Sequence, residues 1–264
     1  MEKRRVKKRR QPRIKLGCLA VLAALIISVL AVLSHCGRDK EPLSRSTTET
    51  VGEYAKAHSL SLSDWPDELL LLYDKNPDAR EFVLSYPEKK DKKYSIDLGE
   101  YRNCETVPLL LQWDERWGYS RYSGELFGLS GCGPTCLSMV HIFLRGDTTV
   151  TPRYVADFAE RKGYSVRGSG SSWSLISEGG RELGLEVKEL PLHEGQIKQN
   201  LLAGRPIICV MGPGDFTQQG HFIVLAGYEN GFLRVNDPNS PTRSEKLWSY
   251  EEIKGQIKNL WVCK

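Results

Sequence analysis

The sequence predicts an α+β fold, helices first and antiparallel strands after them, preceded by one membrane-crossing helix. Three observations carry this reading. Residues 16–34 are nineteen consecutive uncharged positions, five of the six tryptophans and most glycines follow Val107, and helical spacing up to about residue 203 gives way to short apolar runs. A chain of 264 residues, 40% apolar and 27% charged, can bury one sizeable core, which excludes a disordered tail or a disulfide-stapled miniprotein. Seven cysteines without a CxxC pair exclude a zinc ribbon and a thioredoxin-type site.

Residues 1–15 hold nine Lys/Arg against one acid, so the other 249 residues sum to −4 within a whole-chain charge of +4. A body of that sign lacks the basic face that phosphate neutralisation requires, and no nucleic-acid partner is expected. The basic block reads instead as a cytoplasmic tail. At about 1.5 Å per residue, the run 16–34 after it is long enough to cross a hydrocarbon core, and the positive-inside rule sends residues 37–264 across. The expected localisation is the plasma membrane, single-pass, with the body extracytoplasmic. A cleaved signal peptide or a lipid-modified Cys36 would place it on the same side.

Residues 37–63 are polar and Ser/Thr-rich and read as a tether; residues 64–104 read as a small helical module. In the module, Asp64-Trp65-Pro66-Asp67-Glu68 supplies a cap, a proline and first-turn acids ahead of 69–73. Asn76-Pro77-Asp78 repeats the device before Phe82, Val83 and Tyr86, Pro87 is the expected stop, and the lysine-rich 88–93 reads as a solvated turn.

Residues 105–264 form the main domain. Helical spacing over 134–145 places Cys136, Leu137, Val140, Phe143 and Leu144 on one face, with Gly146 ending the run. Further helices are predicted over 152–162, from the Ser171/Ser172 cap to Leu183, and over 194–203. Strands are predicted over 206–211, 221–228, 232–236 and 260–263.

The candidate chemistry begins at Gly131-Cys132-Gly133-Pro134. A cysteine at the start of a buried helix meets free N–H groups and the positive end of the macrodipole, which favour a thiolate. The flanking glycines let a substrate backbone approach closely. His221, after Gly220 and a glycine-rich loop, opens the most apolar strand and is placed to serve a neighbouring thiol as base. If Glu229-Asn230-Gly231 is a three-residue hairpin loop, Ile223 falls opposite Asp237, and Asp237 becomes a diagonal neighbour of His221 on the same face. A two-residue loop would turn Asp237 away. Gln112, twenty residues before Cys132, carries a side-chain amide suited to an oxyanion, beside the Cys132 backbone N–H. Cys136, Cys209 and Cys263 read as core, and a disulfide from Cys104 stays open. The run 168–172 lacks the lysine of a phosphate loop and reads as a cap and site wall.

The ordered blocks Val107-Pro108…Gln112, Gly131-Cys132-Gly133-Pro134…Cys136-Leu137, Gly220-His221-Phe222 and Asn236-Asp237-Pro238 resemble the bacteriocin-leader-type, papain-like cysteine peptidases. Leu111-Gln112-Trp113-Asp114 with Arg116-Trp117-Gly118, and the run 212–216, resemble the membrane-anchored bacterial surface branch. The resemblance implies a papain-like fold, Cys132 as nucleophile, His221 as base, Asp237 as its orienter and Gln112 as oxyanion donor. It implies no metal or organic cofactor, and a peptide or protein substrate at the cell surface. Exporter-fused members face the cytoplasm and cut double-glycine leaders; the topology expected here is the opposite, so leader processing is not expected. A cell-wall amidase or acyl/peptidyl transferase would use the same triad, and a catalytically silent peptide-binding surface module would use none of it.

Overall fold

The apolar runs beginning at Ile207 and His221 are adjacent central strands, and both of their faces are covered. The computed structural model describes residues 43–264. The basic block, the apolar run 16–34 and the first residues of the expected tether lie outside them. Among the described residues no helix is long and apolar enough to cross a membrane.

The sheet has six strands: β1 (Val187–Glu189), β2 (Ile207–Met211), β3 (His221–Glu229), β4 (Phe232–Asn236), β5 (Leu247–Trp248) and β6 (Ile257–Cys263). They lie in the order β1-β6-β2-β3-β4-β5, every pair antiparallel. Six helices matter for the site: α1 (Arg45–Ala57), α2 (Asp67–Lys75), α3 (Arg80–Lys89), α4 (Cys132–Arg145), α5 (Pro152–Lys162) and α6 (Glu194–Leu202). Ile208, Val210, Phe222 and Val224 pack with α4 and α5 on one face, and Ile207, Cys209, Ile223 and Leu225 pack with α6 on the other. Coverage on both sides explains why β2 reads as an unbroken apolar run rather than an alternating one.

Several expectations are corrected. The helix expected through Leu183 is a π-helical turn, Leu175–Gly179, followed by a single short turn, Gly180–Glu182. Gly179-Gly180 has poor helix propensity, and a Cβ on Gly180 would stand 2.9 Å from Val187, so the pair serves close packing on β1. Strands β1 and β5, three and two residues long, were too short to show a period.

The expected tether contains α1, capped by Ser44, whose hydroxyl accepts from the Thr47 N–H at 3.2 Å. Its buried face is only Thr47, Val51 and Ala55, a stripe too sparse to read as amphipathic. Ser44 and Thr47 both donate to Asp74 at the end of α2, which docks the helix.

Pro87 does not stop α3, which continues to Lys89. Proline removes the N–H that would bond the carbonyl four residues back, and the Trp65 indole supplies the missing donor to Val83 O at 2.6 Å. A proline near a helix end is tolerated when the orphaned carbonyl finds another donor.

Candidate active site

α4 begins at Cys132 itself, two residues earlier than helical spacing alone indicated, with Gly131 at the cap. A Cβ on Gly131 would overlap the Phe127 ring, and one on Gly133 would stand 2.6 Å from the Ser171 hydroxyl. Both glycines therefore admit close neighbours to the helix end. Pro134 lies in the first turn, where its missing N–H leaves no intrahelical bond unmade.

The Cys132 residue is partly exposed, and its sulfur meets the His221 ring and the backbone N–H groups of Phe222 and Gly133. Burial opposes ionisation of the thiol, but the His221 hydrogen bond and charge, with those two amides, outweigh it and hold Cys132 below the ordinary thiol range. The His221 Nε2–H donates to Asp237 Oδ1 at 2.7 Å, which leaves Nδ1 to face Cys132. Desolvation disfavours the charged ring, yet the Asp237 carboxylate more than offsets it, and His221 is raised well above the usual imidazole range.

Asp237 is completely buried and fully partnered. Besides His221 it accepts from Arg243 Nε at 2.6 Å and from the Asn239 N–H at 2.8 Å. Burial works against its charge, but His221 and then Arg243 hold the carboxyl below its usual range.

Gln112 is buried between the two halves of the site. Its N–H donates to Pro238 O at 2.7 Å, beside Asp237, and its side-chain Nε2 donates to Gly128 O at 2.8 Å, in the turn before Cys132. One Nε2 hydrogen remains, and Oε1 is buried without a partner.

The register that brings Asp237 to His221 differs from the one expected. The hairpin loop has two residues, Asn230 and Gly231, with φ 51° and 92°, and Glu229 pairs with Phe232. That loop alone would turn Asp237 away. A bulge between Leu225 and Gly227 adds one residue to β3, so Val224 pairs with Asn236 and the next position sets Asp237 opposite Ile223.

Sequence reasoning missed three neighbours. Arg243 sits in a polar stretch with no pattern to mark it. Tyr122, fully buried, shares a hydrogen bond of 2.7 Å with Ser171 and feels the Cys132 charge. Asp78 of the helical module binds the Ser240 hydroxyl and, at 2.7 Å, the Thr242 hydroxyl in the turn after Asp237. The remaining cysteines stand apart from this chemistry: all five described cysteines are free thiols, and burial pushes Cys136, Cys209 and Cys263 up. Among the described residues no group of His, Cys, Asp and Glu is arranged to hold a metal ion.

Comparison with known families matches residues 104–262 to the model described as Peptidase_C39 like family. The chain belongs to that family. Membership makes it a cysteine-type peptidase with an α+β fold built on an antiparallel sheet. The matched region contains Gln112, Cys132, His221 and Asp237, whereas α1 to α3 precede it.

Among solved structures, this family member is similar to the peptidase domain of Streptococcus ComA, a bi-functional ABC transporter involved in a quorum sensing pathway. Identity is 19%, covering 59% of this chain and 96% of that one, with a TM-score of 0.42. A C39-like peptidase from Bacillus anthracis is 16% identical, covering 65% and 98%, with a TM-score of 0.43. No curated protein matches the chain.

Proposed function

We propose that this family member is a membrane-anchored, extracytoplasmic peptidase that hydrolyses peptide bonds at the cell surface through Cys132, His221 and Asp237. The observation that carries the reading is the His221 ring, held between a helix-start thiol and a buried carboxylate. The Cys132 thiolate attacks the scissile carbonyl, and the new oxyanion takes hydrogen bonds from the Cys132 N–H and the free Nε2 hydrogen of Gln112. The imidazolium gives its Nδ1 proton to the leaving amine as the C–N bond breaks, leaving a thioester. Neutral His221 then takes a proton from water, whose oxygen displaces the thiolate and releases the acid. Asp237 orients the ring and stabilises its charge throughout.

The membrane assignment is supported by the basic block at 1–15 and the uncharged run at 16–34. Comparing peptides released at the surface of cells carrying wild type or Cys132→Ala tests the activity. Peptides released only by wild type are expected, and identical profiles would overturn the reading. A reporter fused after Lys264 tests topology; activity of that reporter in the cytoplasm would overturn the localisation.

A further inference from the structure

Residues 113–118 and 214–216, which the catalytic reading does not use, converge with the helical module on one feature. Phe82 of α3 lies where Cβ atoms on Gly118 and Gly128 would stand 2.7 and 2.8 Å from its ring, and it stacks on Tyr119 with centroids 4.3 Å apart. Asn76 donates to Asn239 O at 2.8 Å, and Trp113 donates to the same oxygen at 3.2 Å. The module is thereby fixed to the turn that follows Asp237. Between α2 and the loop 214–220 this leaves a groove of about 430 Å³, within the size range of sites that enclose a ligand. Leu71 and Leu72 of α2, Leu129 and Phe216 give it an apolar portion within an otherwise polar lining.

The groove adjoins the site on one side only. Gly220, which precedes His221, lines it, as do Asn239 and Arg243, both bonded to Asp237. His221 must deliver its proton to the leaving amine, so the portion of substrate beyond the scissile bond departs past His221. Of the four charged lining residues, Glu68, Lys75, Asp215 and Arg243, the two on the catalytic side are already engaged, Arg243 by Asp237 and Asp215 by Gln256 Nε2 at 2.6 Å. A ligand with an apolar side chain disturbs neither pair.

We propose that this groove binds the leaving-amine side of the substrate and takes an apolar side chain there, with α2 forming one wall. The helical module is then part of the substrate site rather than a spacer. This inference rests on the peptidase reading above.

The test gives a proteome-derived peptide library to the full chain as wild type, Leu71→Ala, Leu71→Asp and Leu71→Lys, and identifies the new N-termini by mass spectrometry. Leu71 is half-buried and belongs to none of the three apolar clusters, so these changes open no core. In wild type, apolar residues are expected at the first positions after the cut. Leu71→Ala weakens that preference, Leu71→Asp shifts it toward Lys and Arg, and Leu71→Lys shifts it toward Asp and Glu, each charged shift about tenfold. Loss of folding lowers all cleavage alike and cannot produce opposite shifts. The same preference in wild type and every cleaving variant overturns the groove assignment. No new N-termini even from wild type overturns the peptidase reading beneath it.

Discussion

Asp237 meets His221 because one extra residue, Ala226, bulges β3 between the hairpin loop and the site. The two-residue loop sets one register near Tyr228 and the bulge sets another near Val224, and only the second places a residue after Asn236 on the face of His221. Deleting Ala226 removes the unpaired residue but leaves Leu225 opposite Val235 and Val224 opposite Asn236, so pairing becomes continuous and Asp237 is expected to stay on the face of His221. Turnover should stay near wild type while the sheet keeps its circular dichroism spectrum. Turnover falling to the level of Asp237→Ala would show that the pair needs the bulge itself and not only the register it sets.

Asp237 itself tests two roles at once. It is fully buried and bonded to both His221 and Arg243, so Asp237→Ala leaves two groups without their carboxylate. Breaking a buried pair costs roughly 3 kcal/mol, and losing the orienter of a catalytic histidine costs on the order of 10⁴-fold in kcat. Asp237→Asn keeps an acceptor oxygen and should recover part of the stability while kcat stays low. Thermal melting and turnover measured on both variants separate the roles; a kcat that simply tracks melting temperature would assign Asp237 to the fold alone.

The site was legible where chemistry and local pattern coincide. Cys132 at a helix start and His221 at a strand mouth each carry a short-range signal, and Asp237 follows Asn236 at the end of a clear strand. The bulge was not legible, because Ala226 and Gly227 in a mostly apolar run carry no mark distinguishing an unpaired residue from a paired one. The loop is shorter than the three-residue reading for a related reason: Asn-Gly is the signature of a two-residue turn, whereas a three-residue loop is the register that brings Asp237 to His221 without a bulge. Arg243 and Asp78 reach the site through tertiary contacts across 6 and 162 residues or more of sequence, for which no local spacing exists.

The ionisation of the thiol gives a pH signature. Cys132 is lowered from its usual range and His221 is raised to about 10, each by the charge of the other, so the pair favours a thiolate beside an imidazolium. Alkylation of Cys132 by iodoacetamide should rise at a pH below the roughly 8.5 of a free thiol. Cys136, pushed up by burial and by the Cys132 charge, should remain unlabelled in the folded protein. In His221→Ala the Cys132 profile should move upward, because the partner that offsets burial is gone. An unchanged profile would show that His221 does not set the thiolate.

Asp78 couples the helical module to the same turn, and its titration makes the coupling measurable. Burial raises its carboxyl, but hydrogen bonds from Ser240 and Thr242 outweigh that and leave it below the usual carboxylate range. A folded-state value below the unfolded one contributes stability that is present above the unfolded value and lost as pH falls through the folded one. Asp78→Asn should therefore melt below wild type at neutral pH, and the two curves should converge as the pH drops below about 4. Arg243, whose N–H is capped by the Ser240 hydroxyl at 3.1 Å, is held in the turn that Asp78 anchors. Loosening that turn should lower kcat and, with it, the rate of Cys132 alkylation at neutral pH, because Asp237 holds the His221 charge that favours the thiolate. If Asp78→Asn melts lower by the same amount from neutral pH to below pH 4, the carboxylate is not what holds the turn, and the module is fixed by the packing of Phe82 against Gly118 and Gly128 instead.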